Sequence, residues 1–184
     1  MARTQRGRVL VLGVSLLALV GFGCTPQTTP PPPPTPQAST TPAESPQERE
    51  ERLAYEAAEK SYRDFTAEFR RVTGQGGASG ATKKMEATAG GPYLAKAVRV
   101  VKAYKKTGAH TEGAAKFGYV RPAGYSSKSL LLSVCEDETG VKTFDAKKKQ
   151  VATNGILVLQ LDVRLSDGSW KVWDYSGEEA KSCA

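Results

Sequence analysis

The 184-residue chain has one histidine, three widely spaced cysteines and two methionines. Cys24, Cys135 and Cys183 with His110 cannot assemble a Cys/His zinc cluster at any familiar ligand spacing. A single histidine also argues against histidine-based nucleophilic catalysis. Proline is scarce where a fold would need to be. Nine of the eleven prolines lie in residues 25–46, and only Pro92 and Pro122 lie beyond. Proline fixes φ and lacks a donor, so residues 25–46 can form neither helix nor central strand. The fold must come from the residues that follow, enough for one modest core.

No apolar run reaches the about twenty residues that a bilayer span requires. The longest, Val9–Phe22, is about two-thirds of that length and follows the basic Arg3, Arg6 and Arg8. This is the pattern of a secretory signal over residues 1–23, with an uncleaved N-terminal anchor as the alternative. The net charge is +7, and removing three arginines leaves 7 − 3 = +4. Export also removes the chain from nucleic acid, so no nucleic-acid partner is expected.

The apolar run ends Val20-Gly21-Phe22-Gly23-Cys24. It resembles the lipobox of bacterial lipoproteins, in which the cysteine becomes the lipidated N-terminus. The resemblance implies a diacylglycerol thioether and palmitate-type chains on Cys24, holding the protein on the outer face of the cell membrane. Gly21 and Phe22 depart from the usual lipobox, and Gly21-x-Gly23 also suits ordinary signal peptidase. With Cys24 lipidated, Cys135 and Cys183 remain as an even pair for a disulfide in an oxidising compartment; the alternative is a buried Cys135 thiol. Residues 24–45 then form a linker. With eight Ser/Thr among the prolines, residues 25–46 read as a semi-rigid polyproline-like stalk. An SH3-type ligand or an O-glycosylated segment are the other readings.

Ser45-Pro46-Gln47-Glu48 reads as a helix start with a capping box. Tyr55, Ala58, Tyr62, Phe65, Phe69 and Val72 then recur at 3 and 4, predicting one apolar stripe on a helix that ends before Gly74. The glycines of 73–91 lack the strand and the Gly-Lys-Ser/Thr order of a phosphate loop; they predict a connection, with a short helix over 81–88. Pro92–Lys106 predicts another helix, burying Leu94, Ala97, Val98 and Val101. Beyond Gly113 the period becomes 2. Strands are predicted over 116–121, 129–136, 141–144, 155–165 and 169–175, with a hairpin at Asp167-Gly168. Leu165 should then face Trp170, and Val163 should face Val172. Leu157, Leu159 and Leu161 continue this inner face. The opposite face would carry Gln160, Asp162, Arg164, Lys171, Trp173 and Tyr175, a mixture of aromatic and charged groups suited to an interface unless the tail 176–184 covers it.

Helices followed by an antiparallel meander make an α+β domain over residues 46–184. It resembles the NTF2-like (cystatin-like, cone-shaped) fold, and more closely the small NTF2-like lipoproteins of actinobacteria and their phages. The features are Cys24 with its stalk, the Leu130–Cys135-Glu136-Asp137 strand end, Gly168-Ser169-Trp170-Lys171-Val172 and Cys183. The resemblance implies a curved sheet, a pocket in the cone and dimers through the open sheet face. It implies no cofactor, no metal and no catalytic residue. The function expected is a lipid-anchored, non-catalytic binding or scaffold module at the cell surface. The alternatives are a cone-pocket enzyme or ligand-binding pocket, and a surface-exclusion lipoprotein of a phage or mobile element. An enzyme of the ketosteroid-isomerase-like kind would need a carboxylate and a tyrosine donor in an apolar cavity. Strand phase points Asp174 inward opposite Leu161 and Asp162 outward, while His110 falls in a solvated turn. The clusters Lys83-Lys84, Lys105-Lys106 and Lys147-Lys148-Lys149 read as solvated surface, or as contacts to an anionic membrane or wall polymer.

Overall fold

A computed structural model of the protein describes residues 44–183. The segment expected to be a signal sequence, Cys24 and nearly all of the expected linker lie outside these residues. Among the described residues no helix is long and apolar enough to cross a membrane.

Helix α1 spans Pro46–Gly74. Its start is fixed as the sequence requires. The Glu48 amide donates to Ser45 Oγ at 3.2 Å, and the Ser45 amide donates to Glu48 Oε2 at 2.7 Å. The stripe buries Ala58, Tyr62, Phe65 and Val72. The exposed sides carry i,i+4 pairs such as Arg52–Glu56 and Arg63–Glu59, which support the helix modestly. Helix α2, Lys83–Thr88, is capped by Thr82. Helix α3, Gly91–Thr107, buries Ala97 and Val101 and ends at left-handed Gly108.

Seven strands follow: β1 His110–Glu112, β2 Lys116–Tyr125, β3 Ser129–Asp137, β4 Lys142–Phe144, β5 Gln150–Thr153, β6 Ile156–Ser166 and β7 Ser169–Ala180. They form a four-stranded sheet, β2-β3-β6-β7, and a three-stranded sheet, β1-β4-β5. Every strand pairing is antiparallel. The fold is α+β, as expected. The β4–β5 hairpin is an excursion between β3 and β6 that captures β1. Strands β1 and β5 are too short for alternation to mark them, so His110 begins a strand and stacks on Phe144 at 5.4 Å instead of standing in a turn.

The inner sheet face meets the helices through Leu130, Leu132 and Val134 of β3 with Val163, Leu161 and Leu159 opposite them. Leu165 faces Trp170 and Val163 faces Val172, as the hairpin predicts. Beyond that pair the phase changes. Asp162 pairs with Asp174, so Trp173 is an unpaired bulge residue. Tyr175, rather than Asp174, now lies opposite Leu161 on the inner face.

Cys135 and Cys183 are joined in a disulfide, with Cα atoms 5.6 Å apart. Cys135 lies on the outer face, and the tail leaves β7 and passes β6 to reach it on β3. A second bulge places Gly118 beneath the bridge. A Cβ there would collide with the Cys183 sulfur, so only glycine fits without displacing it.

Candidate functional site

The site is a cavity of about 280 Å³ between α1, α3 and the inner sheet face. Its size is just below the range usual for small-molecule pockets. Helix α1 supplies Tyr62, Phe65 and Phe69 of its stripe, with Arg70 beside them. Helix α3 supplies Tyr93 and Lys96, β3 supplies Glu136, and β7 supplies Tyr175. Their rings form a continuous wall. Phe65 stacks on Phe69 with centroids 6.0 Å apart, Tyr93 tilts against Phe65 at 4.9 Å, and Tyr175 meets Tyr93 edge-on at 5.6 Å. Such pairs favour these offset and edge-to-face geometries.

Glu136 is the most deeply buried charged side chain in this wall, at 4% exposure. Its place follows from register. It continues the inner row Leu130, Leu132, Val134, opposite Leu157. Burial raises its pKa. Arg70, whose Nη2 donates to Glu136 Oε1 at 3.2 Å, opposes that rise, and the neighbouring Glu138 adds to it. The Tyr62 hydroxyl beside it favours the anion. Arg70 also reaches Glu138 Oε1 at 3.4 Å, and Glu138 Oε2 accepts from Asn154 at 3.0 Å. Burial and the Glu136 charge push both Tyr62 and Tyr93 upward, so these phenols stay protonated and can donate.

At the rim, Lys96 Nζ donates to Asp174 Oδ1 at 3.0 Å and stands 4.4 Å from the Tyr175 ring centroid. Asp174 is accordingly held below the usual carboxylate range, first by Lys96 and then by the Tyr175 amide. It is a paired surface carboxylate, contrary to the inward placement that unbroken strand phase gave it. The carboxylate inside the cavity is Glu136. The alternation that could have revealed it is hidden in β3, where apolar residues occupy both faces and the acidic pair at its end reads as a terminus.

Of the residues expected on the open sheet face, Gln160, Asp162, Arg164 and Lys171 share it. Asp162 and Arg164 pair with one another at 2.6 Å. Tyr175 leaves that group, while Trp173 keeps contact with it through Arg164. Tyr175 lines the cavity, and Trp173 is half-buried against Gly90 and Gly91 at the start of α3. What covers Trp173 is this glycine pair together with the Arg164 guanidinium, 5.3 Å from the ring centroid; cover by the tail 176–184 was the alternative to an open interface. Among the described residues, no three His, Cys, Asp or Glu side chains are grouped to hold a metal ion. Cys24 lies outside them.

No family model matches the chain, and no curated protein matches it. Among solved structures, the intermembrane-space region of the chloroplast protein ARC6 is similar at 9% identity and a TM-score of 0.47. The match spans 66% of this chain and 96% of that one.

Proposed function

We propose that the chain is a non-catalytic binding module, tethered to the outer face of a cell membrane by lipid on Cys24 and a proline-rich stalk, with a small molecule as its ligand. The observation that carries the ligand reading is the buried Glu136 carboxyl at the wall of an aromatic cavity. An apolar, ring-bearing body would pack on Phe65, Phe69, Tyr93 and Tyr175, and a hydrogen-bonding head would meet Glu136 and the Tyr93 hydroxyl. The likeness to NTF2-like lipoproteins supports the tether and the cone-pocket reading alike.

The test is a ligand-observed NMR screen of small phenols, aromatic amines and aromatic amides against the full chain and an Ala97→Phe variant that fills the cavity. Hits that bind the natural chain and are lost from the folded variant support the reading. A screen in which every hit survives the filling would overturn it.

One observation favours a second reading, an enzyme that moves a proton with Glu136. A carboxyl with a raised pKa beside a tyrosine in an apolar cavity is suited to that work. It requires a ligand that is turned over, and a Glu136→Gln variant that still binds that ligand and no longer converts it.

A further inference from the structure

Two lysine clusters lie about forty residues apart in sequence. The first is Lys102, Lys105 and Lys106, at i, i+3 and i+4 on the last turns of α3, a spacing that puts them on one side of the helix. The second is Lys147, Lys148 and Lys149, in the turn joining β4 to β5. The fold brings them together through two contacts. The Tyr104 hydroxyl of α3 meets Thr143 Oγ1 of β4 at 3.3 Å. Gly108, which ends α3, approaches Ala146 so closely that an added Cβ would stand 3.0 Å from the Ala146 Cβ.

The turn is built to hold its lysines out. Asp145 Oδ1 accepts from the amides of Lys147 and Lys149 at 2.8 and 2.9 Å, so the one carboxylate of the turn is engaged by backbone. Lys148 adopts a left-handed φ of 61° at the apex. Glu112, across β1–β4 from Lys142, is held by His110 at 3.2 Å. All six lysines are exposed, and none takes part in an ion pair among the described residues. Elsewhere Lys60, Lys84, Lys96 and Lys171 have carboxylate partners, whereas Lys83, Lys116, Lys128, Lys142 and Lys181 are spread singly and also have none among the described residues, so the cap is set apart by the gathering of six such lysines at one end.

The lysine cap sits at a defined end of the molecule. Thr73, at the end of α1, bonds Thr111 of β1 at 2.9 Å, so the three-stranded sheet lies at the C-terminal end of α1. The linker joins at Ser45, about 40 Å away along a helix of this length. A domain tethered through that linker carries the cap at its far end.

We propose that this cap docks a linear polyanion with phosphate along its chain. Six exposed ammonium groups on one end give no enclosed cradle for a single small anion. They do suit a chain that neutralises several of them at once and releases counterions in doing so. The position opposite the linker favours a polymer over the bilayer that would hold residue 24, and this part of the argument rests on the tethered reading. The cavity ligand and the polymer are independent of each other.

The experiment is fluorescence anisotropy of labelled long-chain inorganic polyphosphate with the full chain at 50 and 200 mM NaCl. Binding at 50 mM should weaken more than tenfold at 200 mM, the steep salt dependence of several released counterions. A variant with Lys105, Lys106, Lys148 and Lys149 all changed to Gln should lose more than tenfold in affinity. A control with Lys60, Lys83, Lys128 and Lys181 changed to Gln has the same net charge and should lose less than threefold. Equal losses in the two variants would reduce the effect to net charge and overturn the proposal. No binding at 50 mM, or displacement by monomeric phosphate at equal phosphate concentration, would also overturn it. Vesicles of 30% phosphatidylglycerol that bind the chain through the same lysines and displace polyphosphate would assign the cap to a membrane surface instead. Loss of the tether, read separately from where a Cys24→Ala chain partitions, leaves the polymer result standing.

Discussion

Two buried glutamates carry opposite environments and give opposite dependence on pH. Glu68, on α1, accepts from Arg71 Nη2 at 2.6 Å and from the Thr82 hydroxyl at 2.8 Å. It therefore ties α1 to the residue that caps α2. Arg71 is the larger cause of a pKa lowered to about 2, with Thr82 adding to it. The stability this contributes is present above the ordinary carboxylate value and is lost as pH falls from 4.5 towards about 2. A Glu68→Gln change should cost about 1–2 kcal/mol at neutral pH, discounted because Arg71 is half-exposed. In urea titrations the gap between variant and natural chain should close as pH falls through that window; a gap constant down to the lowest pH would refute the ion-pair account. For Glu136 the sign reverses. Its folded pKa is raised by burial, so the folded state holds the proton more tightly than the unfolded one. Its ionisation costs nothing below 4.5, and the cost grows as pH rises through the folded value. Glu136→Gln should therefore gain stability relative to the natural chain as pH rises. A variant that instead loses ground at high pH would mean that the Arg70 pair outweighs burial.

At the scale of elements, the bulge at Trp173 decides which side chains reach the cavity. The indole sits where Gly90 and Gly91 leave room. A Cβ on Gly90 would stand 2.8 Å from the ring, and one on Gly91 2.6 Å. Gly91 also has φ +50°, so replacing it mixes strain with collision. Gly90 has an extended backbone at φ −150° that any residue can adopt, so its substitution tests the packing without strain, and the double-mutant cycle removes the cost of Ala at this N-cap. Gly90→Ala should destabilise by about 1–3 kcal/mol. Most of that cost should vanish in a Trp173→Ala background, giving a coupling of about 1–2 kcal/mol in a double-mutant cycle. Additive costs would show that the ring does not depend on the glycines. The same bulge marks how far the sequence could be read. The α1 stripe, the α3 face and the β6–β7 hairpin follow from periodicity and turn chemistry, which are local. The extra residue in β7 has no local signal. It is accommodated by a glycine pair some eighty residues earlier, so strand phase carried past Val172 places Asp174 and Tyr175 on the wrong faces. Glu136 escaped for a related reason: a strand apolar on both sides offers no alternation to say which way its last residues turn.

On the scale of the whole molecule, two of the three cysteines are joined to each other, and the proposed tether gives the third a task of its own. Cys135 and Cys183 close a 48-residue separation, and the chain-entropy model puts such a link near ~4 kcal/mol. A Cys135→Ser/Cys183→Ser double variant should lose about that much in urea unfolding. The tail should also become an early site of proteolysis, because the bridge fastens residues 181–183 to β3. A double variant as stable as the natural chain would make the bridge incidental. The proposed lipid anchor falls to Cys24. The lipobox-like sequence before it and the stalk after it both fit lipidation, and the +4 charge of the remaining chain would hold only weakly and salt-sensitively to an anionic bilayer. The two modes of attachment separate cleanly in fractionated cells. A natural chain anchored by lipid should stay with the membrane in high salt and leave it in detergent. Cys24→Ala should appear in the soluble fraction, still carrying its disulfide. If Cys24→Ala remains with the membrane in high salt, the anchor is the uncleaved apolar run of residues 9–22, and lipid on Cys24 has no part in holding the domain.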